Sequence, residues 1–445
     1  MSGTVGRYGL IGKPLGHSLS PFIHERIMEA VGIKGVYKLY ELDQEDLSRE
    51  LPRLLRELDG FNCTIPYKQS VIPYLQGLAP SAELYGAVNT VHAGLGHNTD
   101  GLGFRSCRVP LAKKRVCILG AGGVARVLAW EAARAGAEEI VICSRRPEQG
   151  LELAEAVQAG GFARISWAPF NSEGSWDVFL NGTPLGMWPD VGGLPVQERQ
   201  LQGAQVVFDT IYNPTATRLL LKAKAQGMWA QSGLRMLVEQ AVAAQQIWNP
   251  ERDFSQLEGE LTRIERDLAW EVFRRSPLKL ILSGFMGAGK THVGRMLAGR
   301  LGVPFVDLDE VITARARMSV PEIFAQRGEE GFRLLERECL GEELRRPGAV
   351  VLAAGGGAVI QEGAENLIRD LGGLIIYLDV PLETALARCA SGQERPLLSS
   401  GHKAAADLYH RRRPLYEAAA DFRVDAGLQD TQIVQAILQA LALEV

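Results

Sequence analysis

Two short stretches constrain this chain more than any others. RVCILGAGGVAR (115–126) and LILSGFMGAGKTHVGRMLA (280–298) each pass from a β-branched apolar run through clustered glycines into a helix-forming segment. A strand that feeds a helix through a glycine loop belongs to an α/β architecture with a parallel sheet. The rest of the chain keeps that rhythm. EIVICS (139–144), VVFDT (206–210), VVLAAG (350–355) and LIIYLD (374–379) are apolar runs without polar alternation, as strands buried on both faces require. Between such runs lie helix-forming segments such as VARVLAWEAARAGA (124–137) and LETALARCA (382–390).

At 445 residues the chain has length for two to four domains of about 150 residues. Segment 251–275 is its most charged stretch, with Leu257, Leu261, Ile264 and Leu268 at three- to four-residue spacing, and predicts an amphipathic helix. Ser276-Pro277 then breaks that helix, and a new strand starts at Leu278. Up to Ser276 there are 29 basic and 30 acidic residues, and after it 19 and 22. Neither part has the basic excess that nucleic-acid binding uses, so small molecules are the expected partners. The six cysteines stand singly, without zinc-ligand spacing, and point to a reducing compartment, the cytoplasm. No apolar run reaches the roughly 18 residues of a membrane span, and MSGTVGRYGLIG lacks the pattern of a secretory leader, so neither is expected.

The first loop reads G-x-G-x-x-A over Gly120, Ala121, Gly122, Gly123, Val124 and Ala125. Gly120 permits the tight turn, Gly122 lets backbone approach a pyrophosphate, and Ala125 allows close helix–strand packing. The following strand ends in Ser144-Arg145-Arg146 instead of an acid, which favours the 2′-phosphate of NADP. The second loop, Gly284 to Thr291, is G-x-x-x-x-G-K-T, a P-loop. In it Gly287, Ala288 and Gly289 lie along the phosphates, Lys290 reaches the β/γ oxygens and Thr291 ligates Mg²⁺.

Four small polar segments precede the first loop: GKPLGHSLSPFIH (12–24), GFNCTIPYKQ (60–69), GAVNTV (86–91) and NTDGLGF (98–104). Singly, each is turn chemistry. Together their hydroxyl, amide, ammonium and carboxylate groups suit a polyhydroxylated anionic ligand. Their order, followed by N-x-T-P-L-G-M (181–187), D-x-x-Y (209–212) and G-x-x-M-L-V-x-Q (233–240), makes residues 7–272 resemble shikimate dehydrogenase. The resemblance implies a substrate domain over 1–102, completed by 234–275, and a Rossmann-type NADP domain over 103–233. It implies that Ser18, Ser20, Thr64, Lys68, Asn89, Asp100, Tyr212 and Gln240 meet the substrate. Gly120 to Ala125, Ser144, Arg145, Arg146 and Gly233 would meet the cofactor. Lys68 and Asp100 are the expected catalytic pair, the ammonium protonating the alkoxide that forms as a ketone is reduced. The sequence departs from the family at Ser144-Arg145-Arg146, where Asn-Arg-Thr is frequent, at Gln149, where a basic residue is frequent, and at Gln69, where an acid is common.

Beyond the P-loop come FVDLDEVI (305–312), FRLLERE (332–338), AAGGGAVI (353–360), Arg395-Pro396-Leu397-Leu398 and Arg412-Arg413-Pro414-Leu415-Tyr416. Asp307 and Asp309 are two apart and point the same way near a strand end. Arg333 and Glu336 share one helix face, where the bland alternative is an exposed ion pair. A Ser/Gly/His-rich segment, 391–402, has the composition of a lid. These motifs make residues 278–445 resemble shikimate kinase. By that resemblance Asp309, Arg333, Gly355, Gly356, Gly357 and Arg412 bind shikimate, with Asp309 activating its 3-hydroxyl. Gly287 to Thr291, His292 and Arg395 bind ATP. Lys290 and Arg395 stabilise the transferred charge, and Thr291 and Asp307 hold Mg²⁺. His292 stands where a small hydroxyl residue is common, and Leu428-Gln429 where late basic residues are frequent.

The expected whole is a bifunctional cytoplasmic enzyme of aromatic amino-acid biosynthesis. It would reduce 3-dehydroshikimate to shikimate with NADPH and phosphorylate shikimate with Mg·ATP. The alternatives are an inactive half, a quinate dehydrogenase-like substrate, or a non-catalytic ligand sensor. Oligomeric state is not legible in the sequence.

Overall fold

The computed structural model describes residues 5–162, 164–170, 172–390 and 402–444. It contains three sheets. The first takes β1 (Gly6–Gly12), β2 (Gly35–Glu41), β3 (Gly60–Cys63), β4 (Gly77–Leu78), β5 (Thr90–His92) and β6 (Leu95–His97), in the order β2-β1-β3-β5-β6-β4. β1 pairs in parallel with β2 and β3, whereas β5 runs antiparallel to both β3 and β6. The antiparallel pair carries Asn89 and Asp100 from its two ends back toward the end of β3, where Lys68 follows.

The second sheet takes β7 (Arg115–Leu119), β8 (Glu139–Ser144), β9 (Ile165–Pro169), β10 (Val178–Asn181), β11 (Val206–Asp209) and β12 (Trp229–Ser232). Its order, β12-β11-β10-β7-β8-β9, is parallel throughout and doubly wound. The order reverses between β7 and β10, and such a switch point opens a crevice beyond the carboxyl ends of the strands. Its strands pack Val116, Ile118, Ile140, Ile142, Val178, Leu180 and Phe208 into one apolar core, which is why they read as unbroken apolar runs.

The third sheet takes β13 (Lys279–Ser283), β14 (Phe305–Asp307), β15 (Val350–Ala353), β16 (Gly373–Asp379) and β17 (Phe422–Asp425), in the order β14-β15-β13-β16-β17, again parallel. The β13 strand is central, so the glycine loop after it opens at the middle of the sheet edge.

By compactness the chain divides into two units. One holds Met1–Pro184, Pro195–Thr215 and Met228–Arg275; the other holds Leu185–Leu194, Ala216–Gly227 and Ser276–Val445. The charged segment expected to be amphipathic is the helix Leu257–Arg275, and Leu257, Leu261, Ile264 and Leu268 are among its buried residues. All six cysteines are buried free thiols. Among the described residues no helix is long and apolar enough to cross a membrane.

Candidate active sites

In the first unit, Lys68 lies in the one-turn helix Tyr67–Ser70 just after β3, and Asp100 opens the helix Asp100–Ser106. Thirty-two positions apart in sequence, they meet with Lys68 Nζ 2.6 Å from Asp100 Oδ2. The pair is only partly exposed, the ammonium side chain at 32% and the carboxylate at 14%, so a ligand can still reach it. The other carboxylate oxygen accepts from Asn89 Nδ2 at 2.8 Å. Asn89 in turn receives the Thr99 backbone N–H at 2.8 Å and donates to Thr99 Oγ1 at 3.1 Å. Thr99 Oγ1 donates to Gln240 Oε1 at 3.4 Å. Lys68, Asn89, Asp100 and Gln240, drawn from four separate segments, therefore form one polar network.

Ser18 and Ser20 sit at the entry to the helix Ser20–Ala30, where the Ser20 N–H donates to Ser18 Oγ at 3.3 Å. Thr64 joins the end of β1 through its N–H to Ile11 O at 2.9 Å. Tyr212 lies three residues beyond β11, and burial raises its phenol. The Gly233 N–H donates to Ile211 O at 3.1 Å, which places Gly233 beside the Tyr212 turn. A Cβ on Gly233 would fall 2.1 Å from Thr210 O, so only glycine fits there.

At the switch point, Gly120 has φ +100, and its N–H donates to Cys143 O at 2.8 Å. Gly122 caps the helix Gly123–Arg134, and a Cβ on either Gly122 or Gly123 would meet nothing within 4 Å. That leaves an open cradle in front of a helix N-terminus, the geometry a pyrophosphate takes. Ala125 is fully buried, and a Cβ on Gly182 would lie 3.1 Å from its methyl, so a larger residue at 125 would push the β10 loop away. Ser144 Oγ is occupied in the turn, donating to Arg146 O at 2.8 Å and accepting from Trp167 Nε1 at 3.0 Å. The exposed Arg145 and Arg146 follow it at the end of β8.

In the second unit, Gly287 (φ +77) and Gly289 (φ +87) turn the P-loop into the helix Lys290–Leu301. Lys290 Nζ donates to Gly284 O at 2.8 Å and Phe285 O at 3.1 Å, which folds its stem over the loop. Ala288 is buried beneath it. Thr291 Oγ1 donates to Asp307 Oδ2 at 2.7 Å. A hydroxyl and a carboxylate at the mouth of the loop are the hard oxygen donors that magnesium takes. His292 points to Asp430, with Nε2 3.1 Å from Oδ2. Arg395 lies outside the described residues, as does most of the segment read as a lid.

Asp309, Arg333, Glu336 and Gly355 to Gly357 converge. A Cβ on Gly355 would lie 2.7 Å from Glu336 Oε1 and 2.9 Å from Asp309 Oδ1. One on Gly357 would lie 2.3 Å from Arg333 Nη1. Arg333 Nη1 is held at 2.7 Å by Glu336 Oε2, which also accepts from Gln361 Nε2 at 2.5 Å. Glu336 is buried, so this is no exposed surface pair. Burial raises its carboxyl, Arg333 lowers it, and Asp309 raises it further. Arg412 Nη1 donates to Gly356 O at 3.1 Å, and Tyr416 Oη donates to the same carbonyl. The result is two guanidinium groups and two carboxylates around a glycine turn, suited to a hydroxylated carboxylate.

Similarity to known proteins follows the same division. Shikimate dehydrogenase (NADP(+)) from Bacillus thuringiensis subsp. konkukian is 38% identical over 254 residues, 54% of this chain and 91% of that protein. The chain belongs to the shikimate dehydrogenase family. Its counterpart from Moorella thermoacetica is also 38% identical, over 260 residues, 55% of this chain and 88% of that protein. Residues 10–91 match the family model for the shikimate dehydrogenase substrate binding domain. Residues 115–168 match the one described as NADP oxidoreductase, coenzyme F420-dependent. Residues 286–442 match the shikimate kinase model, so a shikimate kinase domain follows the dehydrogenase in one chain. Among solved structures, the chorismate mutase/shikimate 5-dehydrogenase fusion protein from Clostridium acetobutylicum aligns with a TM-score of 0.54 at 34% identity, covering 60% of this chain and 99% of that one. Shikimate 5-dehydrogenase from Thermus thermophilus, solved with NADP(H) and shikimate, aligns with a TM-score of 0.53 at 31% identity, covering 58% and 100%. The protein is thus a bifunctional shikimate-pathway enzyme with dehydrogenase and kinase activities.

Sequence reasoning passed over several residues of these sites. Asn181 Nδ2 donates to Asp209 Oδ1 at 2.9 Å, joining the ends of β10 and β11 beside the dehydrogenase cofactor loop. Both lie in motifs that carried the resemblance, and their burial was the missing fact. In the kinase domain, the Arg388 guanidinium reaches within 4.0 Å of a Cβ position on the P-loop Gly289. Its helical segment, LETALARCA, reads as ordinary amphipathic surface.

Proposed function

We propose that this chain catalyses two consecutive steps on one carbon skeleton. The dehydrogenase reduces 3-dehydroshikimate to shikimate with NADPH, and the kinase transfers the γ-phosphoryl group of ATP to the 3-hydroxyl of that product. The hydroxyl oxygen formed in the first step is the nucleophile of the second.

The observation that carries the reading is the Lys68–Asp100 contact within the Asn89–Thr99–Gln240 network. Bound NADPH supplies a hydride to the ketone carbon. Lys68, as an ammonium, stabilises the developing alkoxide and gives it a proton. Asp100 holds that ammonium in place and offers a carboxylate through which the lysine is reprotonated. Asn89 fixes the second oxygen of Asp100, so the carboxylate cannot rotate away. Ser18, Ser20, Thr64 and Gln240 present hydroxyl and amide groups to a polyhydroxylated ligand, and Tyr212 and Gly233 border the nicotinamide side. The open Gly122–Gly123 cradle suits the pyrophosphate, and Arg145 and Arg146 suit a 2′-phosphate.

In the kinase, Asp309 accepts the proton of the 3-hydroxyl as its oxygen bonds to the γ-phosphorus and ADP leaves. Arg333 and Arg412 bind the shikimate carboxylate against the Gly355–Gly357 turn. Lys290 and the P-loop amides hold the phosphates, with Arg395 and His292 as further ATP contacts. Thr291 and Asp307 would hold Mg²⁺, which supplies charge neutralisation on the phosphates when bound.

A second reading, an altered ketone substrate in the first half, draws on the 5-ketofructose reductase of Gluconobacter, which aligns at 32% identity with a TM-score of 0.53. One assay separates the two. The purified chain receives 3-dehydroshikimate, NADPH and Mg·ATP, and NADPH oxidation and ADP release are followed together. ADP release that waits on NADPH oxidation, and that begins at once on added shikimate, is the expected result. ADP release on added shikimate with no oxidation of NADPH by 3-dehydroshikimate would move the first half to another substrate.

A further inference from the structure

We infer that Glu131 and Tyr85 are positioning residues of the dehydrogenase, a buried strut between the nucleotide-binding helix and the helix that carries Asp100. Glu131 lies in the helix Gly123–Arg134 and is 2% exposed. Its Oε1 accepts the Tyr85 hydroxyl and receives Arg105 Nη1 at 2.8 Å and Arg134 Nη1 at 3.5 Å. Tyr85 ends the helix Pro80–Tyr85 and is itself buried. Arg105 lies in the helix Asp100–Ser106. One carboxylate oxygen thus gathers donors from three helices.

The strut reaches the reacting pair by contact. A Cβ on Gly101 would lie 2.0 Å from Tyr85 Oη and 2.8 Å from its Cζ, so the tyrosine tip rests on the backbone immediately after Asp100. The helix bearing Asp100 is held at both ends: Asp100 by Lys68 and Asn89, Arg105 by Glu131. Glu131 stands eight residues past Gly123, about 12 Å along the helix axis from the cradle. Burial and the Glu131 carboxylate both raise the Tyr85 phenol, which keeps it a donor to that carboxylate.

A buried charge is a poor way to gain stability, since apolar side chains of like volume often do as well. Its three-way geometry is what an apolar contact would not supply. The neighbours Leu128, Ala129 and Ala132 already provide the apolar packing of the helix. Hydride transfer depends on the spacing between the nicotinamide and the ketone held over Lys68 and Asp100. The strut ties together the two helices that set that spacing.

This inference rests on Lys68 and Asp100 as the reacting pair, and the test keeps the two claims apart. Glu131→Ala and Tyr85→Phe are made in the full chain and assayed at saturating 3-dehydroshikimate with NADPH or NADPH deuterated at the transferred position. The kinase turnover of the same preparation and a thermal melt report folding. Misplacing reacting groups by an ångström costs up to about a hundredfold. We expect Glu131→Ala to lower kcat about tenfold with a larger deuterium isotope effect and KM within about twofold. Tyr85→Phe shifts both quantities the same way, and Glu131→Gln, which still accepts the tyrosine hydroxyl, recovers most of kcat. If kcat and the isotope effect of Glu131→Ala and Tyr85→Phe match the parent, whatever the melt shows, the strut plays no part in positioning. Lys68→Met serves as the separate control: if it keeps full turnover, the assignment of the reacting pair is wrong irrespective of Glu131.

Discussion

Replacing Gly357 with alanine tests the proposed kinase site with one methyl group. A Cβ there would stand 2.3, 2.6 and 2.7 Å from Nη1, Cζ and Nη2 of Arg333. To restore ordinary contact, the guanidinium must withdraw by about 1 Å, as in any close-packed site. The backbone at Gly357 has no positive φ, so alanine brings no strain of its own. The Arg333 side chain is 21% exposed and can swing toward solvent, but this takes it from the buried Glu336 carboxylate 2.7 Å away, a loss worth up to about 3–5 kcal/mol of stability. The bond proposed between Arg333 and the substrate carboxylate is lost in the swing. A hydrogen bond to a charged group contributes about 1.5–3 kcal/mol, or roughly 10- to 150-fold in affinity. The expected outcome is a KM for shikimate raised by that factor, with kcat within about threefold because the loss is of uniform binding. The assay is ADP release at saturating ATP with shikimate varied. Oxidation of shikimate by NADP⁺ on the same preparation should be unchanged. A folded Gly357→Ala chain with unaltered KM would refute the argument that this guanidinium binds substrate. An unaltered KM with a large fall in kcat would move Gly357 to phosphoryl transfer.

Other outcomes follow from the same geometry. Arg145→Ala with Arg146→Ala should lower kcat/KM for NADPH by about 10- to 100-fold, as expected from losing charge-assisted bonds to a phosphate, and leave the value for NADH near its starting point; equal losses for both cofactors would contradict the 2′-phosphate assignment. Complete burial, in contact with the rings of Tyr37 and Trp248, lowers His24 to about 3. The unfolded chain then binds a proton that the folded one refuses once pH falls below about 6.5. His24 therefore costs nothing above that value and removes up to about 1.4 kcal/mol of stability per pH unit below it, near 2 kcal/mol at pH 5. Denaturant unfolding of the parent and His24→Phe across pH 5–7.5 should give lines of different slope, and parallel lines would contradict the linkage.

Much of the fold was readable because its decisive units are contiguous. The strands β7, β8, β11, β13, β15 and β16 coincide with apolar runs, since a parallel strand covered on both faces has no polar side to interrupt it. The first sheet was not legible in this way. Its strands β4, β5 and β6 span two or three residues each, too short for any periodicity to register. Its site was legible only through resemblance, because nothing local brings Lys68 to Asp100. Buried charges were hidden for a different reason. In AWEAAR, Glu131 looks like the solvent face of an amphipathic helix, and in FRLLERE, Glu336 looks like half of a surface pair. Both are buried because partners from distant segments, Tyr85 and Arg105 for one and Gln361 for the other, satisfy them there.

The proposed function requires two active sites in one chain, one forming shikimate and the other phosphorylating it. The most direct measurement mixes two variants, Lys68→Met and Lys290→Met, and follows shikimate 3-phosphate formed from 3-dehydroshikimate, NADPH and Mg·ATP. Each variant alone should form almost none: the first keeps kinase turnover on added shikimate, and the second keeps NADPH oxidation. Their mixture should recover phosphate-ester formation, because shikimate made on one chain reaches the kinase site of the other. Loss of both activities in either single variant, or a mixture that stays inactive while each retains its own half-reaction, would contradict the account.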